Sequence, residues 1–510
     1  MRLTQKEFSQ LADELKRLFN KDPAAAVVRA RRVVEESAGD GNALLLAAGI
    51  LVDAGKTARD LRAVEQGVEH LQLLFAAHSD QLSIGYDVAN GLMARANLQW
   101  ADSSDWYVQT LEDRAQARCL YARVATSEAV DAGLRAEAHT NLAVTLADAY
   151  RFSEAYDHYS LALQLDPFNG VARVNAAHLL LRFAKRNLPS AETMIAVAVH
   201  HLKVAKENPA RIKELVSEWD FKKLAESFYQ DFPDLEMPNL SNATPFQHFV
   251  AEHRLFLADS IEGLDLSLER WDVLVPDGIS DGLEALMGPP PLFAMFNTLK
   301  SDYLAARHVA FQALYEHVPE SGSYSDTEDR AQYGVVSGLM TLGQRACLDI
   351  LDKIAVLTHE YLKLAGDPNR IYFVTTWFER TKDKRITKWK SAIDDEVKQG
   401  NTALIALSEL ARDIQDGGYL ELKRTIRHAS THRFAVLHDG DPAITRKSPY
   451  IEHYSRADFA DHLIGSLQTA RAAIHYVGEM IGRHETIHDD GSPKQRFMLR
   501  IADSAIYPWN

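Results

Sequence analysis

The chain has 510 residues, 46% of them hydrophobic and 25% charged, with a formal net charge of −15. That balance excludes a wholly disordered or fibrous protein and leaves room for roughly two to four domains. Cys119 and Cys347 are the only cysteines and sit in no metal-ligand spacing, which excludes a disulfide framework.

A reducing compartment is therefore expected, with the cytoplasm as the default. The first residues interleave Lys6, Glu7, Asp13, Glu14, Lys16 and Arg17 with apolar ones, and no uninterrupted apolar run approaches membrane-spanning length, so neither export nor membrane insertion is expected.

Apolar residues recur at three and four positions almost throughout, without sustained alternation, so the expected fold class is all-α. Over 1–210 short Ala-rich helices predict an array of helical hairpins. Gly55-Lys56-Thr57 hints at a phosphate loop, but Gly49 lies one residue too far upstream and no strand precedes it, so it reads as a helix end. Gly39-Asp-Gly41 lacks the third glycine of a dinucleotide fingerprint.

The clearest hairpin spans 136–167, with Leu142 and Ala143 on its first helix and Ala155, Tyr159, Ala162 and Pro167 marking the second helix and its end. It resembles the tetratricopeptide repeat, whose small residues let two helices approach and whose Pro stops the second. His139 stands where that family usually has an aromatic. Val197, His201, Val204 and Pro209 repeat the spacing more weakly, and Ala115, Cys119 and Ala122 suggest a degenerate earlier copy. A generic Ala-rich array without repeat ancestry predicts a similar architecture. The resemblance implies a concave surface that docks or senses a regulatory protein or peptide.

Pro233, Pro238, Pro245, Pro276 and Pro289-Pro290-Pro291 interrupt the periodicity, so 211–290 is expected to be a connector. Within it, 271–275 is the one plausible strand. A helix over 296–315 is expected to brace the longer helices C-terminal to it.

From Val336, the series Met340, Gly343, Cys347, Ile350, Ile354, Leu357, Tyr361 and Leu364 predicts one long helix with an apolar stripe. Helices are predicted over 386–415, ended by Gly417-Gly418, and from 419 to about 437. A second long helix is predicted from Ser455, with Asp458 three positions on and Phe459, Leu463, Leu467, Ala470, Ile474, Val477 and Ile481 on one face. Together, 291–488 predicts a four-helix bundle followed by a tail over 489–510. Tyr372, Phe373, Trp377 and Phe378 can stack on RNA bases but are expected to pack the core.

Within the third bundle helix, Arg427-His-Ala-Ser-Thr-His432 sets a guanidinium and two imidazoles in little more than one turn. Arg grips phosphate with a planar fork that stays charged, and His exchanges protons near neutrality. Over 421–447 six basic residues (Lys423, Arg424, Arg427, Arg433, Arg446, Lys447) outnumber three acidic ones, a local excess of +3 on an acidic chain.

A bundle of long helices carrying Arg427, His428 and His432 at this spacing resembles the HEPN superfamily, whose signature is Arg, four to six residues, then His, often with Asn, Asp or His directly after the Arg. The resemblance implies a metal-independent endoribonuclease without cofactor, often a toxin or antiviral effector, whose active site forms where two identical subunits meet. On a helix Arg427 and His432 diverge by roughly 140°, whereas His428 and His432 share a face, so a second copy is a natural way to complete the site.

The resemblance gives each of these residues an expected role. His432 takes the ribose 2′-OH proton, Arg427 stabilises the phosphoryl charge, and 2′,3′-cyclic phosphate and 5′-OH ends result. His428 acts as the acid or orients its neighbours, and Arg424 and Arg433 hold the flanking RNA backbone. The rival reading is a non-catalytic scaffold binding RNA, nucleotide or protein. The plainest alternative for the hexapeptide is a solvated polar stripe on a helix whose core face is Leu422, Ile426, Ala429 and Val436.

His484-Glu-Thr-Ile-His488 matches the zincin pattern, but it lies at the end of the last helix and no convincing third ligand comes after it, so no metal is expected.

Overall fold

The computed structural model describes residues 3–36, 39–100, 105–185, 191–237, 239–258, 260–262, 272–276, 279–281, 290–383, 385–442, 448–489 and 495–496; for 219, 280–281, 427–432 and 495–496 it describes the backbone alone. The chain divides into two compact units, Met1–Leu179 with Val197–Leu235 and Gly417–Tyr419, and Leu180–Ala196 with Glu236–Asp416 and Leu420–Asn510. The fold is all-α with a few short strands. Among the described residues no helix is long and apolar enough to cross a membrane.

The first half of the chain forms α1 (Gln5–Lys21), α2 (Pro23–Glu36), α3 (Gly41–Ala58), α4 (Leu61–Ala77), α5 (Leu82–Gln99), the single turn α6 (Trp106–Gln109) and α7 (Leu111–Thr126). It continues as α8 (Ala132–Asp148), α9 (Phe152–Leu165), α10 (Gly170–Ala184), α11 (Ala191–Glu207), α12 (Pro209–Leu215) and α13 (Glu218–Phe228).

Small residues set how closely successive helices pack. A Cβ at Gly67 of α4 would lie 2.8 Å from the Ala48 carbonyl oxygen of α3, and one at Gly91 of α5 would lie 2.7 Å from Val68. In the α8–α9 hairpin Ala136, Leu142, Ala143, Ala155, Tyr159 and Ala162 are all buried, so the small side chains marked by the repeat spacing form its seam. Gly55-Lys56-Thr57 lies at the end of α3, a helix end and not a phosphate loop.

After α14 (Pro245–Glu252), the second unit is built on three long helices, α15 (Pro291–Tyr315), α16 (Val335–Tyr361) and α20 (Arg456–Ile487). They pack against one another, with α17 (Ser391–Lys398), α18 (Ala403–Asp413) and α19 (Glu421–His432) filling in beside them. The predicted stripe of α16 is buried from Met340 to Leu357, and Leu463 of α20 lies against Gly343. Ser455 caps α20, its side chain accepting from the Asp458 amide at 3.0 Å. α15 begins five residues before the expected 296 and belongs to the bundle itself.

Buried arginines stitch an irregular segment to this bundle. Arg307 of α15 grips Asp272 with two bonds of 2.9 and 2.7 Å and donates to the Leu255 carbonyl at 2.8 Å. Arg471 of α20 donates to the Phe256 carbonyl at 2.9 Å.

The predicted elements need correction in three places. The stretch 386–415 is not one helix, because 386–389 is a strand and a left-handed Gly400 (φ 104°) separates α17 from α18. The helix expected to reach 437 stops at His432. Residues 272–275 form no strand.

The strands are β1 (Ser280–Asp281), β2 (Ala331–Gln332), β3 (Phe378–Arg380), β4 (Ile386–Trp389), β5 (Phe434–His438), β6 (Ile451–Ser455) and β7 (Gln495–Arg496). β5 pairs in parallel with β6 and antiparallel with β2, while β3 pairs with β4 and β1 with β7. Those ladders satisfy backbone groups that a longer α19 would have satisfied internally, and tertiary pairing overrides the apolar spacing through Val436.

Candidate nucleic-acid site on the bundle

α19 packs against α16 and leads directly into β5, so it presents a short, anchored surface. Ile426 is fully buried and Lys423 nearly so, with Lys423 Nζ 3.4 Å from Ser466 Oγ of α20. Leu422, expected on the core face, is instead 45% exposed, because it lies about 100° around the helix from Lys423. Val436 sits half-buried on β5, and the side chain of Ala429 lies outside the described residues. The burial of Lys423 brings a cation beside Cys347, whose thiol burial pushes up to about 12, with Lys423 pulling against that shift. His462 is held below its ordinary value by burial and then by Lys423.

Arg427, His428 and His432 lie on α19, and their side chains fall outside the described residues. The flanking cations are described. Arg424 forms an ion pair with Asp416 at the surface. Arg433 lies 3.7 Å from Glu452 of β6, both about two-fifths exposed. Exposed pairs of this kind are weak, on the order of 1 kcal/mol or less, so a phosphate can take either arginine from its carboxylate at small cost. Of the aromatics, Phe373, Trp377 and Phe378 are buried and Trp377 Nε1 donates to the Phe373 carbonyl at 2.6 Å, so they pack the core; Tyr372 is exposed.

Sequence reasoning missed a second group at the far end of β5. His438, fully buried, donates from Nδ1 to the Asp329 carbonyl oxygen at 2.9 Å, which leaves Nε2 as the acceptor. That Nε2 faces His453 Nδ1 of β6 at 2.8 Å. The Asp329 carboxylate accepts from Thr327 Oγ at 2.5 Å and holds its proton less tightly for it. Donor atoms of Asp329, His438 and His453 lie within 4.8 Å of one another, close enough to hold a metal ion. No spacing in the sequence signals the trio, because it is the parallel pairing of β5 with β6, His453 opposite Val436 and His438 opposite Ser455, that puts the two histidines on one face of the sheet two positions apart.

Residues 283–484 match the family model described as LA2681-like HEPN. The match takes in α15 through almost all of α20, including α19, and supports placing this segment in the HEPN superfamily. No curated protein matches the chain.

Proposed function

We propose that 291–488 is a metal-independent endoribonuclease of HEPN type that works as a homodimer and is regulated through the N-terminal helical array. The observation that carries this reading is that the family match over 283–484 includes the helix bearing Arg427, His428 and His432. In that reading His432 accepts the ribose 2′-OH proton, the oxygen attacks the adjacent phosphorus, and Arg427 offsets charge on the phosphoryl oxygens. The leaving 5′-oxygen takes a proton from His428 or from water, leaving a 2′,3′-cyclic phosphate and a 5′-OH.

Helical geometry supports assembly of the site between two copies. Counted from buried Lys423, positions 428 and 432 lie about 140° and 180° around the axis while position 427 lies only about 40° around it, so an arginine from a second copy can meet the face that carries the two histidines. Arg424 and Arg433 would grip the flanking phosphates in place of Asp416 and Glu452. The array, read as tetratricopeptide-like, would dock the protein or peptide that restrains or releases activity, and a role as toxin or antiviral effector fits such control.

The deciding experiment incubates purified full-length chain, Arg427→Ala and His432→Ala with RNA in the presence of chelator and maps the ends. Cyclic-phosphate ends from the wild type alone support the reading. Equal cleavage by all three overturns it, and RNA binding without cleavage favours the non-catalytic scaffold.

A further inference from the structure

The zincin-like stretch at the end of α20 lacks a third ligand only in the linear sequence. His484 and His488, four apart on one helical face, both meet Glu396 of α17, which precedes them by 88 and 92 positions. Glu396 Oε1 lies 2.9 Å from His484 Nδ1 and 2.7 Å from His488 Nε2. The three donor atoms lie within 4.8 Å of one another.

The carboxylate is buried and held in place. Its other oxygen, Oε2, accepts from Asn401 Nδ2 at 3.0 Å, and the same nitrogen donates to the Met480 carbonyl at 3.1 Å. Asn401 is fully buried and its amide donates to the Glu396 carbonyl at 2.9 Å. A fixed carboxylate oxygen facing two imidazole nitrogens, its partner oxygen satisfied by an amide, is the arrangement by which proteins orient a metal ligand.

We infer that Glu396, His484 and His488 form a binding site for one divalent transition-metal ion of the zinc class. With ligand bonds of about 2.0–2.2 Å, tetrahedral ligands stand roughly 3.3 Å apart, so the present contacts need widen by only about half an ångström. The side chain best placed to give is His488, at the helix terminus and 45% exposed, and the fourth position opens to water on that side.

Such an ion ties the end of α20 to α17. Glu485, which in a zincin would activate water, instead accepts from the Tyr361 hydroxyl of α16 at 2.6 Å, so the assignment is to metal binding and not to peptide hydrolysis.

The test strips full-length protein with a chelator, dialyses it against zinc, and measures bound metal by elemental analysis, with cobalt(II) spectra reporting the coordination geometry. The wild type is expected to retain one zinc per chain more than His488→Ala, with a tetrahedral cobalt spectrum and a melting temperature raised by zinc. His488→Ala is expected to lose the ion while keeping the metal-free melting temperature, and Glu396→Gln to lose it as well. His453→Ala, in the other histidine group, is expected to keep it. Wild type holding no more zinc than His488→Ala overturns the proposal, as does loss of the ion in His453→Ala with retention in His488→Ala. None of these readouts depends on RNA cleavage.

Discussion

The two compact units hold themselves together differently. In the N-terminal hairpins the seams are alanines and glycines, and neighbouring helices in the chain pack through backbone approach, as at Gly67 on Ala48. In the bundle the helices are long, their stripes are large aliphatic and aromatic residues, and buried arginines reach across the sequence, Arg471 to a carbonyl 215 positions away. Packing between helices close in sequence keeps the damage of a substitution local, whereas long-range ties make it cooperative, and the first unit has such a tie of its own, from buried Arg151 to the Tyr419 hydroxyl 268 positions on. Among the described residues, both groups of histidines and carboxylates close enough to share a metal ion lie in the second unit.

The sharpest test of that division is catalytic. Arg427→Ala and His432→Ala should each lower RNA cleavage by roughly 10²-fold or more without shifting the melting temperature, the scale of losing a general base or a charge-stabilising donor. Next comes Arg307→Ala, which takes both guanidinium bonds from the part-buried Asp272 carboxylate and one from the Leu255 carbonyl, leaving them, among the described residues, only the Leu257 amide and the Tyr303 hydroxyl as donors. It should destabilise the bundle by about 3–5 kcal/mol in urea denaturation followed by a probe in the second unit.

The array offers a pH-dependent counterpart. His139, buried 3.1 Å from His158, is lowered from 6.5 to about 4 by burial and then by Arg135. Above pH 6.5 both folded and unfolded chains hold it neutral; between 6.5 and 4 only the unfolded chain takes the proton. Stability should therefore fall as pH drops through that window, by roughly 3 kcal/mol at most, and His139→Phe should flatten the slope.

The smallest effect contrasts two glycines of the array. Gly67→Ala forces a Cβ against backbone and should cost about 1–3 kcal/mol, while Gly49→Ala, with nothing within 4 Å, should be neutral or stabilising by under about 1 kcal/mol. Equal melting temperatures for the two would mean that close helix approach does not hold the array together.

The long helices were legible because a continuous apolar stripe has one economical solution. Met340 to Leu357 and Phe459 to Ile481 are buried as their spacing predicts, and Ser455 with Asp458 marks the start of α20. The alanines of α8 and α9 were legible for the same reason. Short elements were not. The stretch Phe434–His438 carries apolar residues compatible with either period, and the availability of β6 and β2 as ladder partners made it a strand.

Sequence by itself determined the helical class, the two longest stripes of the bundle and the presence of an Arg-His cluster on one helix, all of them set within a few turns of chain, where periodicity and residue chemistry act locally. Only the tertiary structure decided where α19 ends, which cations are paired and which histidines meet. Glu396 with His484 and His488, and His438 with His453, are brought together by packing and strand pairing, and contacts between distant segments leave no spacing in the linear order.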